Sequence, residues 1–146
     1  MKKIALLISM ALPAILCFAQ KGTLSSTPKN VQAGFTREHP GEANARWEKT
    51  NGEWKANYTS SGRSVDEYYN KKGVRSFRRT EWDKKNLPKG YDLKISSNYN
   101  TTDYKVAKIE RPKNAALYEV KYNKDGKENT VYTDESGKEV KYHTRY

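Results

Sequence analysis

The chain has 146 residues, with 28 Lys and Arg against 17 Asp and Glu, a formal net charge of +11 at pH 7 and a single cysteine. This length is typical of one domain. A lone cysteine excludes an internal disulfide framework and a cysteine-based metal cluster. The basic excess favours acidic or polyanionic partners.

The first 19 residues are predicted to be a secretory signal peptide. Two lysines precede a mostly apolar stretch over residues 4–18, and small residues stand at positions 17 and 19. The alternative, a transmembrane anchor, is disfavoured because the stretch is short and contains a proline. Cleavage is expected between Ala19 and Gln20.

The remaining residues, 20–146, are predicted to form one domain in the periplasm or outside the cell. Cleavage would remove Cys17, the only cysteine, so thiol catalysis is excluded as well. Stability then depends on burial, to which eleven Tyr and three Trp contribute large apolar side chains with polar tips.

The first predicted element is a helix. Thr27-Pro28 is typical of an N-cap followed by proline at the first helical position. Val31 and Phe35 lie four residues apart on one face. His39-Pro40 predicts the end of the helix.

Alternation with a period of two follows, which predicts strands. Asn51-Gly52 is typical of a two-residue hairpin turn. Counting back from that turn places Trp47 opposite Ala56 and puts Trp47 and Trp54 on one face. The other face of this hairpin is expected to carry charged and polar side chains, namely Arg46, Glu48, Lys55 and Asn57.

The second half begins with a helix signalled by Leu87-Pro88. Its apolar positions, Tyr91, Ile95 and Tyr99, again lie four residues apart. The remaining chain reversals are marked by glycine after a polar residue, at Ser61-Gly62, Lys72-Gly73, Asp125-Gly126 and Ser136-Gly137.

The two halves are related by an offset of 64 residues. This shift pairs apolar positions such as Val31 with Ile95 and Trp54 with Tyr118, and it pairs the turn glycines. The sequence therefore predicts a tandem duplication, with repeats over about 27–86 and 87–146. Each repeat would be one helix followed by four antiparallel strands, giving a two-layer α+β fold with helices on one face of the sheet.

These residues resemble an exported family of PepSY-like proteins in the β-lactamase-inhibitor-like class. The resemblance covers nearly all of residues 20–146 and depends on the order and spacing of weak motifs. These are Val31-x-x-x-Phe35, His39-Pro40, Arg46-Trp47-Glu48, Asn51-Gly52, Tyr58-x-x-x-Gly62, Tyr69-Asn70-x-x-Gly73, Leu87-Pro88 with Ile95 and Tyr99, and Thr133-Asp134-x-x-Gly137.

The resemblance implies the fold of the β-lactamase inhibitor protein (BLIP), in which one face of the sheet is left open. It also implies a binding role in the cell envelope, including inhibition or regulation of an envelope enzyme. Thr133, Tyr104 and the strong positive charge depart from the family pattern, which leaves the ligand undetermined.

A catalytic or metal site is not predicted. The two histidines, His39 and His143, are not equivalent in the repeat and are not part of a recognisable nucleophile, metal or paired-carboxylate motif. We expect no enzyme activity and no cofactor.

The basic residues, interleaved with aromatic ones, are the most informative feature for binding. An acidic protein is the first predicted partner, and a polyanionic glycan or lipopolysaccharide bound through charge is the alternative. Nucleic acid ranks last because export removes the protein from it. A solvated face that only keeps the protein soluble also fits. The candidate partner-binding residues are Arg46, Lys55, Tyr69, Arg75, Phe77, Arg79 and Lys121.

Overall fold

The computed structural model describes residues 27–142, so the predicted signal peptide and His143 lie outside the described residues. The described residues form two helices, seven strands and one short 3-10 helix. The elements are α1 (Lys29–Glu38), β1 (Arg46–Thr50), β2 (Glu53–Ser60), β3 (Arg63–Tyr69), β4 (Arg75–Trp82), the 3-10 helix (Lys84–Asn86), α2 (Tyr91–Tyr99), β5 (Tyr104–Glu110), β6 (Leu117–Lys124) and β7 (Lys127–Thr133).

Helix α1 begins one residue later than predicted. Pro28 occupies the N-cap position itself, and no side chain caps the helix there. The backbone carbonyl of Pro28 instead accepts hydrogen bonds from the amides of Val31 and Gln32. Val31 and Phe35 are buried, as their spacing predicts.

The seven strands form one antiparallel sheet in chain order, from β1 at one edge to β7 at the other. The first hairpin has the predicted register, with Trp47 opposite Ala56 and Lys55 opposite Glu48. Trp47 is buried, whereas Trp54 is partly buried against the same cluster.

A register shift between Tyr68 and Tyr69, in the pairing of β3 with β4, determines which face of the sheet each side chain of β4 occupies. Tyr68 lies opposite Phe77, and Tyr69 lies opposite Arg75. One extra residue in β4 therefore sends Arg75 and Phe77 to opposite faces, although an unbroken strand would place them on the same face.

Both helices pack on the same face of the sheet. Helix α1 covers the first half through a cluster that includes Val31, Phe35 and Trp47. Helix α2 covers the second half through a separate cluster that includes Tyr91 and Ile95. The domain is therefore a two-layer α+β structure with two cores side by side on one face.

The turn that follows the third strand of each half has the same hydrogen bonds in both halves. In the first half the side-chain oxygen of Asn70 accepts from the amides of Lys72 and Val74. Asp134 accepts in the same way from the amides two and four residues further on. Gly73 and Gly137 occupy the left-handed region that these turns require, with φ of 75° and 79°.

Within residues 27–142, the second half has three strands rather than the predicted four. The segment after the turn pairs with β7 through one bridge, between Thr133 and Glu139. The amide of Val140 also donates to the carbonyl of Tyr132 at 2.8 Å. The rest of the predicted fourth strand lies outside the described residues.

Candidate binding surface

The side of the sheet opposite the helices, called the open face below, carries a third apolar cluster. Its buried members are Phe77, Ile109 and Leu117, and the partly buried side chains packed against them are Tyr68, Tyr132, Val140 and Tyr142. Strand pairing places these residues on one side, because Tyr68 lies opposite Phe77 and Ile109 lies opposite Leu117. The open face is therefore an aromatic and apolar surface at its centre.

Tyrosine rings form the outer layer of this cluster. Tyr68 stacks on Phe77 with ring centroids 4.1 Å apart and planes 15° apart. Tyr132 and Tyr142 meet at 4.7 Å, and the Arg111 guanidinium lies 5.1 Å from the Tyr142 ring centre. Phe77 therefore supports the tyrosine rings and offers little exposed surface of its own to a partner.

The hydroxyls of these tyrosines stay protonated over the physiological range. Burial, followed by the charge of Glu119, raises the pKa of Tyr132 to about 12. Burial also raises the pKa of Tyr68 and Tyr142. Each ring therefore presents an apolar plane with a neutral hydroxyl, which is the combination that interfaces commonly use.

Two hollows lie side by side on the open face. The first, the aromatic hollow, has a volume of about 360 Å³. The second, the lysine hollow, has a volume of about 460 Å³. The aromatic hollow is lined by Tyr68, Phe77, Ile109, Tyr132 and Tyr142 together with Asp66, Arg79, Glu119 and Lys121. The lysine hollow is lined by Lys84, Lys105 and Lys121 together with Arg79, Glu81, Trp82, Tyr104, Val106, Ala107, Glu119 and Glu128.

An ion pair separates the two hollows. Nε and Nη2 of Arg79 donate to the same oxygen of Glu119, at 3.0 and 2.7 Å. The pair spans the small side chain of Ala107, which lies opposite Glu119 in the sheet. Burial lowers the pKa of Arg79, but the hydrogen bond and charge of Glu119 outweigh it and raise the pKa. Arg79 is therefore a permanently charged and internally compensated part of the surface.

Other cations on the open face also have acidic neighbours. Lys55 pairs with Glu48 across the first hairpin. Lys121 lies 3.9 Å from Glu128, and both of these side chains are more than one third exposed. Lys55, Arg79 and Lys121 therefore each have an acidic neighbour on this face, whereas Lys105, opposite Lys121, has no ion pair among the described residues.

Five of the seven predicted partner-binding residues lie on the open face. The pairing of Arg46 with Asn57, Asn57 with Asp66 and Asp66 with Arg79 places Arg46 and Arg79 on it. Lys55, Phe77 and Lys121 share that side.

The other two predicted residues lie on the helix side. Tyr69 is fully buried in the core beneath α1. Arg75 lies beside it and forms ion pairs with Glu38 and Glu67. These two residues therefore lie on the helix side of the sheet and not on the open face.

A buried carboxylate organises the helix side near Tyr69. Glu67 is fully buried and accepts from the Tyr69 hydroxyl at 2.7 Å. It also pairs with Arg75 at 3.1 Å and with Arg78 at 3.4 Å. His39, just beyond α1, completes the cluster at 2.8 Å from the carboxylate.

This cluster joins a histidine to a carboxylate, which a hydrolytic site would also require. The imidazole of His39 is packed by the rings of Phe35 and Tyr58. Among residues 27–142, the Glu67 carboxylate contacts His39, Tyr69, Arg75 and Arg78, so the cluster links the end of α1 to the sheet. Within residues 27–142, His, Cys, Asp and Glu side chains do not gather in a group of three that could hold a metal ion.

Sequence reasoning missed several residues that shape these sites. Leu117 and Glu119 alternate with the inward-facing Tyr118, so strict alternation along β6 would have placed them on the open face. Glu67 lies between Val65 and Tyr69 in phase with the core, which is the signal for a buried carboxylate.

Comparison with known proteins identifies the fold. The chain has a TM-score of 0.73 with a DUF2874 family protein from Bacteroides ovatus ATCC 8483, at 21% identity over 80% of this chain and 86% of that one. A BLIP-like protein from Bacteroides fragilis NCTC 9343 matches with a TM-score of 0.68, at 20% identity over 78% and 83% of the two chains. The chain has a BLIP-like fold.

A third structure with this fold is a predicted periplasmic protein from Bacteroides eggerthii DSM 20697. It matches with a TM-score of 0.73, at 12% identity over 79% of this chain and 86% of that one. No family model and no curated protein matches the sequence. Among residues 27–142, no helix is both long and apolar enough to cross a bilayer.

Proposed function

We propose that this protein is an exported, non-enzymatic binding module of the cell envelope whose open face engages a protein partner. The observation that carries the proposal is the third apolar cluster, in which Phe77, Ile109 and Leu117 lie on the side of the sheet that faces away from both helices. A sheet face that only meets water carries polar side chains. An aromatic centre surrounded by ion pairs is typical of a protein interface.

The partner is an acidic envelope protein, and the module inhibits or regulates it by covering its surface. The BLIP-like fold and the predicted periplasmic neighbour support an envelope role. Tyrosine and arginine, which dominate binding energy at many interfaces, are both present on the open face. Arg46, Lys55, Arg79 and Lys121 surround the aromatic centre as polar contacts.

The alternative, binding of a polyanionic glycan or lipopolysaccharide by charge alone, is less well supported. It would favour unpaired cations gathered on one surface. On the open face, Lys55 and Arg79 instead pair with Glu48 and Glu119.

We also infer that the chain arose by duplication of one helix-and-strand unit. Val31 and Ile95, which the 64-residue offset relates, are both fully buried beneath α1 and α2. The matching turns at Asn70 and Asp134 support the same inference. A duplicated unit explains why one sheet carries two separate helix-covered cores.

The proposal is tested by affinity capture from an envelope extract of the producing bacterium. The exported chain would be immobilised as wild type, as Tyr132→Ala and as Lys121→Glu, and captured proteins would be compared at about 0.15 M and about 1 M salt. Leu93→Ser is the matched control, because Leu93 is 76% exposed on α2.

We expect a specific protein that wild type and Leu93→Ser retain and that both open-face variants lose. Retention at the higher salt separates an interface from charge-driven binding, since screening shortens the Debye length from about 8 to about 3 Å over this range. Recovery of only polyanions, lost at high salt from all variants alike, would contradict the proposal.

A further inference from the structure

We propose that the segment bound by the open face carries an acidic side chain about two or four residues from a large apolar side chain. The acid would lie in the lysine hollow and the apolar group in the aromatic hollow. This inference rests on the proposed function and specifies the chemistry of the partner.

The two hollows share one wall, so a single segment can occupy both. Arg79, Glu119 and Lys121 line the aromatic hollow and the lysine hollow alike. Arg79 and Glu119 neutralise each other through two hydrogen bonds. The shared wall therefore leaves Lys121 as its cationic group.

The lysine hollow has a net positive charge, because its lining has four cations, Arg79, Lys84, Lys105 and Lys121, against three acids, Glu81, Glu119 and Glu128. In the described part of the chain, Lys105 has neither an ion pair nor a hydrogen bond from its side chain. Lys121 is held only loosely, 3.9 Å from Glu128. Lys105 and Lys121 are direct cross-strand partners, so their like charges lie side by side. A carboxylate between them would relieve this repulsion.

The aromatic hollow, in contrast, has equal numbers of acids and cations in its lining, together with several aromatic rings. Both of its acids already have polar partners, because Glu119 pairs with Arg79, and Asp66 accepts a hydrogen bond from Asn57 at 2.8 Å and lies opposite Arg79 in the sheet. Its remaining wall consists largely of the rings of Phe77, Tyr132 and Tyr142. An aromatic or large aliphatic side chain is the group that this lining stabilises.

The distance between the two sites sets the spacing of the ligand groups. Ile109, in the aromatic hollow, and Lys105, in the lysine hollow, are four residues apart on β5 and face the same way. At a rise of about 3.3 Å per residue this separation is about 13 Å, and long side chains shorten it. In an extended segment, side chains that lie two or four residues apart share one face and are separated by about 7 or about 13 Å.

The test is selection of short random peptides displayed on phage against the full exported chain. Selected peptides would be synthesised and titrated by isothermal calorimetry against wild type and the Lys105→Glu/Lys121→Glu double variant. Lys71→Glu/Lys72→Glu is the matched control, since it changes the net charge equally at the exposed turn between β3 and β4.

We expect selected peptides to pair an acid with a large apolar residue at the stated spacing. The open-face double variant should weaken their binding at least about tenfold, and the control should weaken it by less than about threefold. Replacing the acid in the peptide by its amide should remove the difference between wild type and the double variant.

Selection of basic or uncharged peptides, equal weakening by both double variants, or no enriched peptide would each overturn this inference. The proposed function would still stand if affinity capture recovered a protein that Tyr132→Ala and Lys121→Glu both lose, whatever the composition of the selected peptides. Both proposals would fall if Tyr132→Ala and Lys121→Glu retained every captured protein.

Discussion

The imidazole Nε2 of His39 lies 2.8 Å from the carboxylate of Glu67, which is fully buried beneath α1. Arg75 and Arg78 bind the same carboxylate from the neighbouring strand. The residue that follows α1 and the strands β3 and β4 are thereby held together by one buried carboxylate, where the cost of losing one partner is high.

Replacing Glu67 by Gln should lower the free energy of unfolding by about 3 kcal/mol. Removing one partner of a buried ion pair costs roughly 3–5 kcal/mol, and the lower end applies because both arginines are about one quarter exposed. Urea denaturation followed by tryptophan fluorescence measures the change. Glu48→Gln, which removes the ion pair between the exposed carboxylate of Glu48 and the partly buried Lys55, should cost less than about 1 kcal/mol. Equal effects of the two variants would contradict this account.

Gly34→Ala should destabilise the protein more than a helix alanine usually stabilises it. A Cβ at Gly34 would lie 2.1 Å from the carbonyl oxygen of Gly73, a backbone atom that cannot rotate away. Overpacking of this kind costs about 1–3 kcal/mol, against a gain of up to about 1 kcal/mol from helix propensity.

The control for Gly34 is Gly41→Ala, because a Cβ at Gly41 meets nothing within 4 Å. Thermal unfolding by circular dichroism should show a lower Tm for Gly34→Ala and little change for Gly41→Ala. A Gly34→Ala variant as stable as wild type would show that α1 and the turn at Gly73 do not approach each other closely.

The protein should lose stability as the pH rises from about 10 to about 12. Burial raises the pKa of Tyr91 to about 12, although its hydrogen bond with Thr133 partly opposes the rise. The ordinary tyrosine pKa is about 10. A group whose pKa is higher in the folded state stabilises that state fully below pH 10, and this contribution is lost as the pH approaches 12.

Urea midpoints measured at pH 9, 10, 11 and 12 would therefore fall in this alkaline range, with Tyr132 contributing alongside Tyr91. Tyr91→Phe should be less stable at pH 9, because it loses the hydrogen bond with Thr133, but its midpoint should fall less steeply. If the urea midpoints of wild type and Tyr91→Phe fell equally with pH, ionisation of Tyr91 would not contribute to the alkaline loss of stability.

Truncating a buried side chain in either helix-covered core should lower the free energy of unfolding by a similar amount, because the domain should unfold in a single cooperative transition. Val31→Ala and Ile95→Ala each remove a fully buried side chain beneath a helix, and we expect losses of about 2 and about 3 kcal/mol. Denaturation followed by far-ultraviolet circular dichroism and by fluorescence should give coincident curves for both variants. Separate transitions would show that the halves unfold independently.

Much of the fold follows from local patterns in the sequence. The spacing of Val31 and Phe35 predicts α1, and Asn51-Gly52 fixes the register that places Trp47 opposite Ala56. Both signals are strong because a turn or a helix face depends on neighbouring residues only.

The candidate binding surface is harder to predict from the sequence. An extra residue in β4 puts Arg75 on the helix side and Phe77 on the open face, and a bulge leaves no reliable mark in a single sequence. The contacts of Arg79 with Glu119 and of Tyr132 with Tyr142 join residues on different strands or beyond the last strand. Such pairings are determined by tertiary structure and not by local spacing.

The most direct measurement of the central claim is hydroxyl-radical footprinting of the protein alone and with its captured partner. Tyr68, Tyr132 and Tyr142 report on the open face, while Tyr99 and Tyr122 on the helix side serve as internal controls. The account predicts that oxidation of the three open-face tyrosines falls several-fold in the complex and that the helix-side pair is unchanged. Protection of Tyr99 and Tyr122 with no change at Tyr68, Tyr132 and Tyr142 would contradict it.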